Sequence, residues 1–413
     1  IGESKKLVLN VVENFNIYAR TPVTGNITWK SSNEQIATVD QNGNITAISE
    51  GQTTITAKDD KYGYIATAIV YVTRNTANTI TIPQVSQGQK FTIVLKADGT
   101  VWASGQNNVG QCGIDSTVAN IGKLTPVKTD KGANLNNIVK IVSGLEYTLA
   151  LTKDGKVYGW GLNSNGQLGI NSKTNQFTAT YMLDEEGENP VTDVIDIAAG
   201  DCFSTILKSN GELYTVGNGT YSQLGNGTTT TTMVLGKMEE MQNVVQVVNG
   251  GYHTIMLRGD QTVWTVGRNR YGEMGINSIK DSSTATAQGI GIARQVINQD
   301  LNGVLKNITQ VTAGGYHSAA LSNTKEVYSW GYGADGQLGT GKASNFYYPQ
   351  PVLSYKPTAE ADEQITGITQ IGSSERSIFF LTENNEVYAT GENSNYQLSL
   401  IHISEPTRRR GIS

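Results

Sequence analysis

The sequence is short of the residues that most often carry chemistry. Two cysteines, Cys112 and Cys202, and three histidines, His253, His317 and His402, are all that 413 residues provide. The cysteines stand in different copies of a repeat, which makes neither a disulfide framework nor a metal site. No run of about 18 apolar residues occurs, so nothing reads as a membrane-spanning helix. No apolar core follows Ile1-Gly2-Glu3-Ser4-Lys5 to make a signal peptide either. Charge is scarce at 16%, with 31 Lys+Arg against 36 Asp+Glu and a net charge of −5. Lys/Arg cluster only at the extreme C-terminus, which argues against nucleic acid and anionic membrane as primary partners. What is abundant is glycine, 46 residues against a usual share of about 7%, and this suits many short strands joined by tight turns.

The length fits about two to four domains, and much of it repeats. Align Leu95, Leu151, Leu207, Leu257, Leu321 and Leu381: an aromatic stands seven positions on in every copy, at Trp102, Tyr158, Tyr214, Trp264, Tyr328 and Tyr388. Ten positions on there is always glycine (Gly105, Gly161, Gly217, Gly267, Gly331, Gly391). The step between copies varies, shortest from Leu207 to Leu257 and longest from Leu257 to Leu321. A constant motif with variable spacers marks a repeat architecture.

Within copy two, Asp154-Gly155 reads as a two-residue type I′ hairpin turn, placing Leu151 opposite Tyr158 and Leu149 opposite Trp160 on a bulky face, with Ala150 opposite Gly159 on a small one. β-branched residues three apart, such as Ile138 and Ile141 or Val194 and Ile197, mark a preceding strand. Pairs such as Pro126-Val127 and Pro351-Val352 mark a fourth. Four strands per unit, no amphipathic helical pattern and six units predict an all-β chain built on a β-propeller. Copy six lacks a following Pro-Val strand, so the ring is expected to be open or imperfectly closed.

The run from Asp154 to Gly169, DGKVYGWGLNSNGQLG, resembles the repeat of the regulator of chromosome condensation (RCC1-like) family, as does Gly314 to Leu321, GGYHSAAL. Gln-Leu-Gly recurs at 167–169, 223–225 and 337–339. The resemblance covers about three quarters of the chain and implies a propeller that usually closes with seven blades, of which six copies are visible. Upstream, Trp29-Lys30-Ser31-Ser32-Asn33, Ala37-Thr38-Val39-Asp40, Gly43 to Ala47 and Gly51 to Ala57 resemble the bacterial group 2 immunoglobulin-like (Big_2) domain. Short β runs at 27–29, 36–39, 45–47, 53–57 and 65–72 agree with such a small β-sandwich. The expected organisation is a sandwich over 1–74, a linker at 75–79 and a propeller over 80–398. Residues 399–413 match nothing upstream and read as translated adapter sequence, an unstructured tail.

His253 and His317 share a repeat position with Phe91, Tyr147 and Phe203, so strand packing is the expected role. The propeller tryptophans read as core, and the Gly-Gln-Leu-Gly turns lack the Gly-Lys-Ser/Thr of a phosphate loop. Asp184-Glu185-Glu186-Gly187-Glu188 lacks the alternating ligands of a calcium loop. No catalytic site, cofactor or metal is therefore expected. The spacers differ in length, from 226–243 at the shortest to 276–307 at the longest, and variable loops on a rigid scaffold are where binding usually resides. Their aromatics Phe177, Tyr181, Phe346, Tyr347 and Tyr348 are the candidate partner-binding residues, with capping of blade edges as their alternative role.

The immunoglobulin-like resemblance implies an extracellular or bacterial cell-surface setting. The expected function is non-enzymatic binding of a protein or glycan partner by a monomer. The propeller resemblance implies an alternative, a regulatory role as a guanine nucleotide exchange factor or as a β-lactamase-inhibitor-like protein.

Overall fold

The computed structural model describes residues 6–7, 27–49, 51–60, 65–72, 81–278, 289–354, 363–394 and 398. The expected linker at 75–79 and tail at 399–413 lie outside them. Every regular element among the described residues is a strand or bridge, and no helix there is long and apolar enough to cross a membrane.

Upstream, Lys6–Leu7, Ile45–Ala47 and Ala37–Val39 form one three-stranded sheet, and Ile27–Ser31, Gly51–Asp59 and Ile65–Val72 form another. Ala37, Ile45, Ile55 and Val70 are buried together with Trp29 and Val39 against them, which is the expected sandwich core.

Six further sheets make six propeller blades. Among the described residues five have four antiparallel strands, and the sixth has three, Ile368–Ser373, Ser377–Thr382 and Val387–Gly391. Blade two is typical: inner strand Ile138–Ser143, then Tyr147–Thr152, Val157–Gly161 and outer strand Gln176–Tyr181. The inner strands surround a channel of about 1170 Å³ lined by Val85, Val142, Ala198, Asn249, Thr312 and Ser373 among others.

The hairpin register differs from the sequence expectation by one residue. Leu149 pairs with Gly159, Ala150 with Tyr158 and Leu151 with Val157. The amide of Gly155 donates to the Thr152 carbonyl at 3.1 Å, and that of Thr152 donates to the Lys156 carbonyl at 2.9 Å. In that loop only Gly155 takes positive φ, 77°. This is a three-residue loop, a type I turn closed by a left-handed residue, and not a type I′ turn. A one-residue slip reassigns the faces. Trp160 and Ala150 now share a face buried against blade one with Ile93 and Val101. Leu149, Leu151 and Val157 face blade three's Val194, Ile197 and Val216. Neither face is the small one. Tyr158 sits opposite Ala150 on one face and Leu149 opposite Gly159 on the other, while Leu151 and Val157 pair as two bulky residues.

The left-handed residue also joins blades, because its carbonyl accepts the amide that starts the next inner strand: Val194 to Gly155 at 3.0 Å, Ile308 to Gln261 at 3.2 Å. Copies four to six hold this conformation without glycine, at Gln261 (φ 62°), Lys325 (66°) and Asn385 (61°). A side chain there costs about 1–2 kcal/mol, so Gln261→Gly is expected to raise stability by about 1 kcal/mol in urea denaturation. An unchanged or lower midpoint would show that the Gln261 side chain contributes what its backbone loses.

A second inter-blade device sits on the inner strands. The Gln84 side-chain amide donates to the Val139 carbonyl at 3.0 Å and accepts the Ile141 amide at 3.1 Å. Gln246 and Gln310 at the same position each bond both the carbonyl and the amide of a single residue, Val311 and Ile371 respectively, and the Lys140–Asp196 ion pair occupies this position between blades two and three.

Among the described residues, blades one and six each leave exposed one apolar position that the other blades bury. Ile141, Ile197, Val247, Val311 and Ile371 are buried, while Val85 at the same position of blade one is 67% exposed. At the other end Val101, Val157, Leu213, Val263 and Val327 are 0% exposed and Val387 of blade six is 49%.

Candidate functional site

The five spacer aromatics do not stand on free loops. Phe177 and Tyr181 belong to outer strand Gln176–Tyr181, and Phe346, Tyr347 and Tyr348 to outer strand Phe346–Pro351; all five are half-buried. Tyr181 stacks on Tyr158 of its own blade, ring centroids 4.0 Å apart. The Phe177 carbonyl accepts the Asp115 amide of blade one and the Tyr347 carbonyl accepts the Asn277 amide of blade four. The outer strands therefore tie blades together as well as closing sheets, and the structure does not gather these residues into one site.

A different aromatic set does converge. On one face of blades three to five, Tyr221, Tyr252, Tyr271, Tyr316 and Tyr332 form a continuous chain of ring contacts. The centroid distances are 5.2 Å (221–252), 6.4 Å (252–316), 5.6 Å (271–316) and 5.0 Å (271–332). The Arg268 guanidinium lies 4.8–5.6 Å from the ring centres of four of them, Tyr221, Tyr252, Tyr271 and Tyr316. Its Nε is 4.0 Å from a carboxylate oxygen of buried Glu273. Arg268 itself is buried, and each tyrosine keeps part of its surface in solvent.

The scaffold holds these residues rigidly. In each Gln-Leu-Gly-type turn the glutamine, or Glu273, accepts a backbone amide two residues upstream: Val109, Asn165, Tyr221, Tyr271 and Asp335, at 2.6–3.0 Å. These turns are caps for the chain, not anion cradles, and two of the caps fix a tyrosine of the cluster. Tyr252 and Tyr316 precede the second strands of blades four and five, where strand pairing anchors them. Their inner neighbours Gly251 and Gly315 continue a backbone relay around the channel mouth, Asp201 amide to Gly251 carbonyl, Gly251 to Gly315 and Gly315 to Glu375, each at 3.0–3.1 Å.

The rim is charged with both signs. Burial, then the Glu375 charge, lifts the Asp201 carboxyl to about 6, offset in part by a hydrogen bond from Tyr252 and by Arg268. Burial together with Asp201 raises the Tyr252 hydroxyl well above its usual range. Arg376 bridges to Glu392 at 3.2 Å and lies 4.0 Å from Asp335.

Nothing in spacer length points to this face. Its signal lies inside the constant motif. The residue before the second strand runs Lys90, Glu146, Cys202, Tyr252, Tyr316, Arg376, and the residue after the third-strand glycine runs Gln106, Leu162, Asn218, Arg268, Tyr332, Glu392. Scaffold positions repeat and these do not.

The residues weighed for chemistry have structural explanations. Burial pushes both thiols up to about 11, at Cys112 with no second cause and at Cys202 with help from Asp201, so neither is an activated nucleophile. The Asp184 carboxylate accepts the amides of Glu188 and Asn189 in its own turn. His253 and His317 are fully buried in the strand position expected for them.

A ring of repeated blades carrying one aromatic, mixed-charge face is a repeat propeller of the recognition type. The chain belongs to the RCC1-like domain family, whose profile matches residues 49–410. Residues 16–70 match the bacterial Ig-like domain (group 2). Ultraviolet-B receptor UVR8 of Arabidopsis thaliana is 28% identical over 273 residues, 66% of this chain and 58% of the receptor. E3 ubiquitin-protein ligase HERC2 of Homo sapiens is 27% identical over 319 residues, 76% of this chain and 6% of the ligase. Among solved structures, yeast RCC1 (Prp20) bound to Kap60 superposes with a TM-score of 0.61 at 20% identity, covering 79% of this chain and 74% of that one. Prp20p from Saccharomyces cerevisiae, described with its binding to Gsp1p and histones, gives 0.59 at 17% identity, covering 92% and 84%. At these identities the structural likeness establishes the fold alone.

Proposed function

We propose that this chain is a non-enzymatic recognition module that binds a protein partner through the tyrosine and arginine face of blades three to five. The observation that carries the reading is the five-tyrosine chain around Arg268. Tyrosine and arginine dominate the residues that anchor protein interfaces, because they bring large rigid area and directional polar groups together. Here the scaffold has already fixed their backbones, so little ordering cost remains for binding. The mixed rim of Asp201, Asp335, Glu375, Arg376 and Glu392 suits the side chains of a protein better than a neutral glycan. The group 2 Ig-like domain supports presentation from a bacterial cell surface to the exterior. A regulatory role, as exchange factor or inhibitor, draws on resemblance of fold, and fold does not fix function.

The test is capture of partners from extracellular and host-surface extracts, followed by affinity measurement with single variants. Tyr271→Ala is expected to weaken binding by about 30-fold, equivalent to about 2 kcal/mol, without lowering the melting temperature by more than a few degrees. Tyr347→Ala and Tyr348→Ala serve as the contrast. If they abolish binding while Tyr271→Ala leaves it intact, the interface lies on the outer strands and the face proposed here is packing.

A further inference from the structure

Seven Asn-Gly pairs occur in the chain, at Asn42, Asn165, Asn210, Asn218, Asn226, Asn249 and Asn302. Such a pair can react with itself: the glycine amide nitrogen attacks the side-chain carbonyl carbon of the asparagine, and ammonia leaves. A glycine amide that already donates a hydrogen bond is held back from that attack. In six pairs it is so held. Gly43, Gly166, Gly211, Gly227 and Gly250 donate to the carbonyls of Asp40, Asn163, Lys208, Gly291 and His253 at 2.8–3.1 Å, and Gly219 donates to the Thr231 hydroxyl at 3.3 Å. The Gly303 amide has no acceptor among the described residues, and Asn302 and Gly303 are both exposed.

A sister loop shows why. Between blades two and three, the Asp184 amide donates to the Asn189 carbonyl at 2.7 Å and the Gly187 amide to the Asp184 carbonyl at 3.0 Å. Between blades four and five, the Asn298 amide donates to the Gly303 carbonyl at 2.9 Å and the Leu301 amide to the Asn298 carbonyl at 3.2 Å, in the same register. What differs is the first side chain. Asp184 has two acceptor oxygens, which take the Glu188 amide at 2.9 Å and the Asn189 amide at 3.2 Å. Asn298 has one. Its Oδ1 accepts the Asn302 amide at 3.1 Å, and this turns its Nδ2 to donate to Asn302 Oδ1 at 2.7 Å. The Gly303 amide, counterpart of the Asn189 amide, is the one left without an acceptor.

We propose that Asn302 is a self-modifying site, at which the Gly303 nitrogen closes a succinimide ring that water opens to aspartate or isoaspartate. The nitrogen gives its proton to solvent base as it bonds to Asn302 Cγ, negative charge develops on Oδ1, and the Cγ–Nδ2 bond breaks as ammonia leaves with a proton from water. Asn298 Nδ2 already donates to the oxygen on which that charge develops, which stabilises it. Water then cleaves one of the two ring C–N bonds: at Cγ the product is aspartate, at the main-chain carbonyl it is isoaspartate. Either product carries a negative charge that asparagine lacks. There is room for the ring, since beyond its chain neighbours a β-carbon on Gly303 would meet only Asn298 Nδ2, at 3.6 Å. No residue of this loop belongs to the tyrosine face, so the proposal is independent of the function proposed above.

The whole chain is incubated at mildly alkaline pH, and its peptides are followed over time by mass spectrometry, with isoaspartate separated from aspartate by chromatography. Asn302 is expected to convert at least about tenfold faster than any of the other six asparagines, because each of those must first break its glycine's hydrogen bond. In guanidinium chloride the seven should convert at comparable rates. Asn298→Asp copies the sister loop: its second oxygen accepts the Gly303 amide and its charge opposes the one developing on Oδ1, so conversion at Asn302 should slow at least about tenfold at an unchanged melting temperature. Equal rates at the seven sites of the folded chain, a faster site elsewhere, or an Asn298→Asp variant that converts at the parent rate overturns the proposal. So does a lead for Asn302 that persists in guanidinium chloride, which would show that local sequence and not the loop sets the rate.

Discussion

Trp160→Ala is expected to destabilise the propeller by about 3–5 kcal/mol, the range for truncating a packed large aromatic. The side chain is fully buried in the seam between blades one and two, and its indole Nε1 donates to the Gln111 carbonyl at 3.0 Å. Alanine would leave a cavity and, in addition, orphan a buried acceptor in the turn that caps blade one. Trp330 repeats the arrangement in blade five, donating to the Glu273 carbonyl at 2.8 Å, and Trp330→Ala should cost a similar amount. Trp102 is the internal control. It stands two positions earlier in the repeat, half-buried, with its Nε1 on the Thr100 hydroxyl and the Lys96 ammonium 3.6 Å from its ring centre. Its loss should cost about 1–2 kcal/mol, since partial burial forfeits less transfer energy and water can refill the site. Urea denaturation of the three variants decides the matter. Equal losses at all three positions would mean that the seams are not where the stability lies.

The difference between those two tryptophan positions marks how far the sequence could be read. Repeat register, blade number, strand placement and the upstream sandwich were legible because each is periodic in the chain: apolar alternation, a fixed aromatic, a fixed glycine. The hairpin register was not. Asp154-Gly155 suits a two-residue turn and a three-residue one equally well locally, since both want glycine at residue 155. What favours the longer loop is the Gly155 carbonyl accepting the Val194 amide of the next blade, a contact with a different repeat copy that no local pattern contains. The recognition face was hidden for a related reason. Tyr221, Tyr252, Tyr271 and Tyr316 are scattered through three repeat copies, and only the curvature of the ring brings three blades' loops around Arg268. The outer-strand aromatics were visible as residues but not as members of inter-blade strands, because the amides that bond the Phe177 and Tyr347 carbonyls, those of Asp115 and Asn277, belong to the preceding blades.

Acid should expose the one strained choice in the inner packing. His253 and His317 occupy a position that Phe91, Tyr147 and Phe203 fill elsewhere, each ring lying over the glycine three residues before it. The Tyr147 hydroxyl reaches the Phe203 carbonyl of the next blade, and His253 Nε2 pairs with the Ser318 hydroxyl at 2.9 Å. Among the described residues, His317 has no partner in bonding geometry at either ring nitrogen. Burial holds its pKa at about 4, with the nearby Ser377 backbone opposing only in part, and burial plus the His317 and Arg268 charges hold His253 at about 3. The sign follows from where each state takes up a proton. Above the ordinary value of about 6.5 both states are neutral and stability is full. Between about 6.5 and 4 the unfolded chain binds the proton and the folded chain does not, so each histidine withdraws about 1.4 kcal/mol per pH unit as pH falls. Asp201, raised to about 6, works in the opposite direction over part of this window because its folded form protonates first. One such carboxyl against two histidines leaves a net loss. Carboxylates held low, such as Asp98, Asp154 and Glu212, add their own losses only near and below their ordinary values. His317→Phe copies the protein's own solution in blades one and three, and it should remove about 1.5 kcal/mol of the stability lost between about pH 6.5 and 5. Urea midpoints for parent and variant at half-unit steps across that range provide the measurement. Parallel pH profiles would show that His317 takes up its proton in the folded chain and that the burial argument fails.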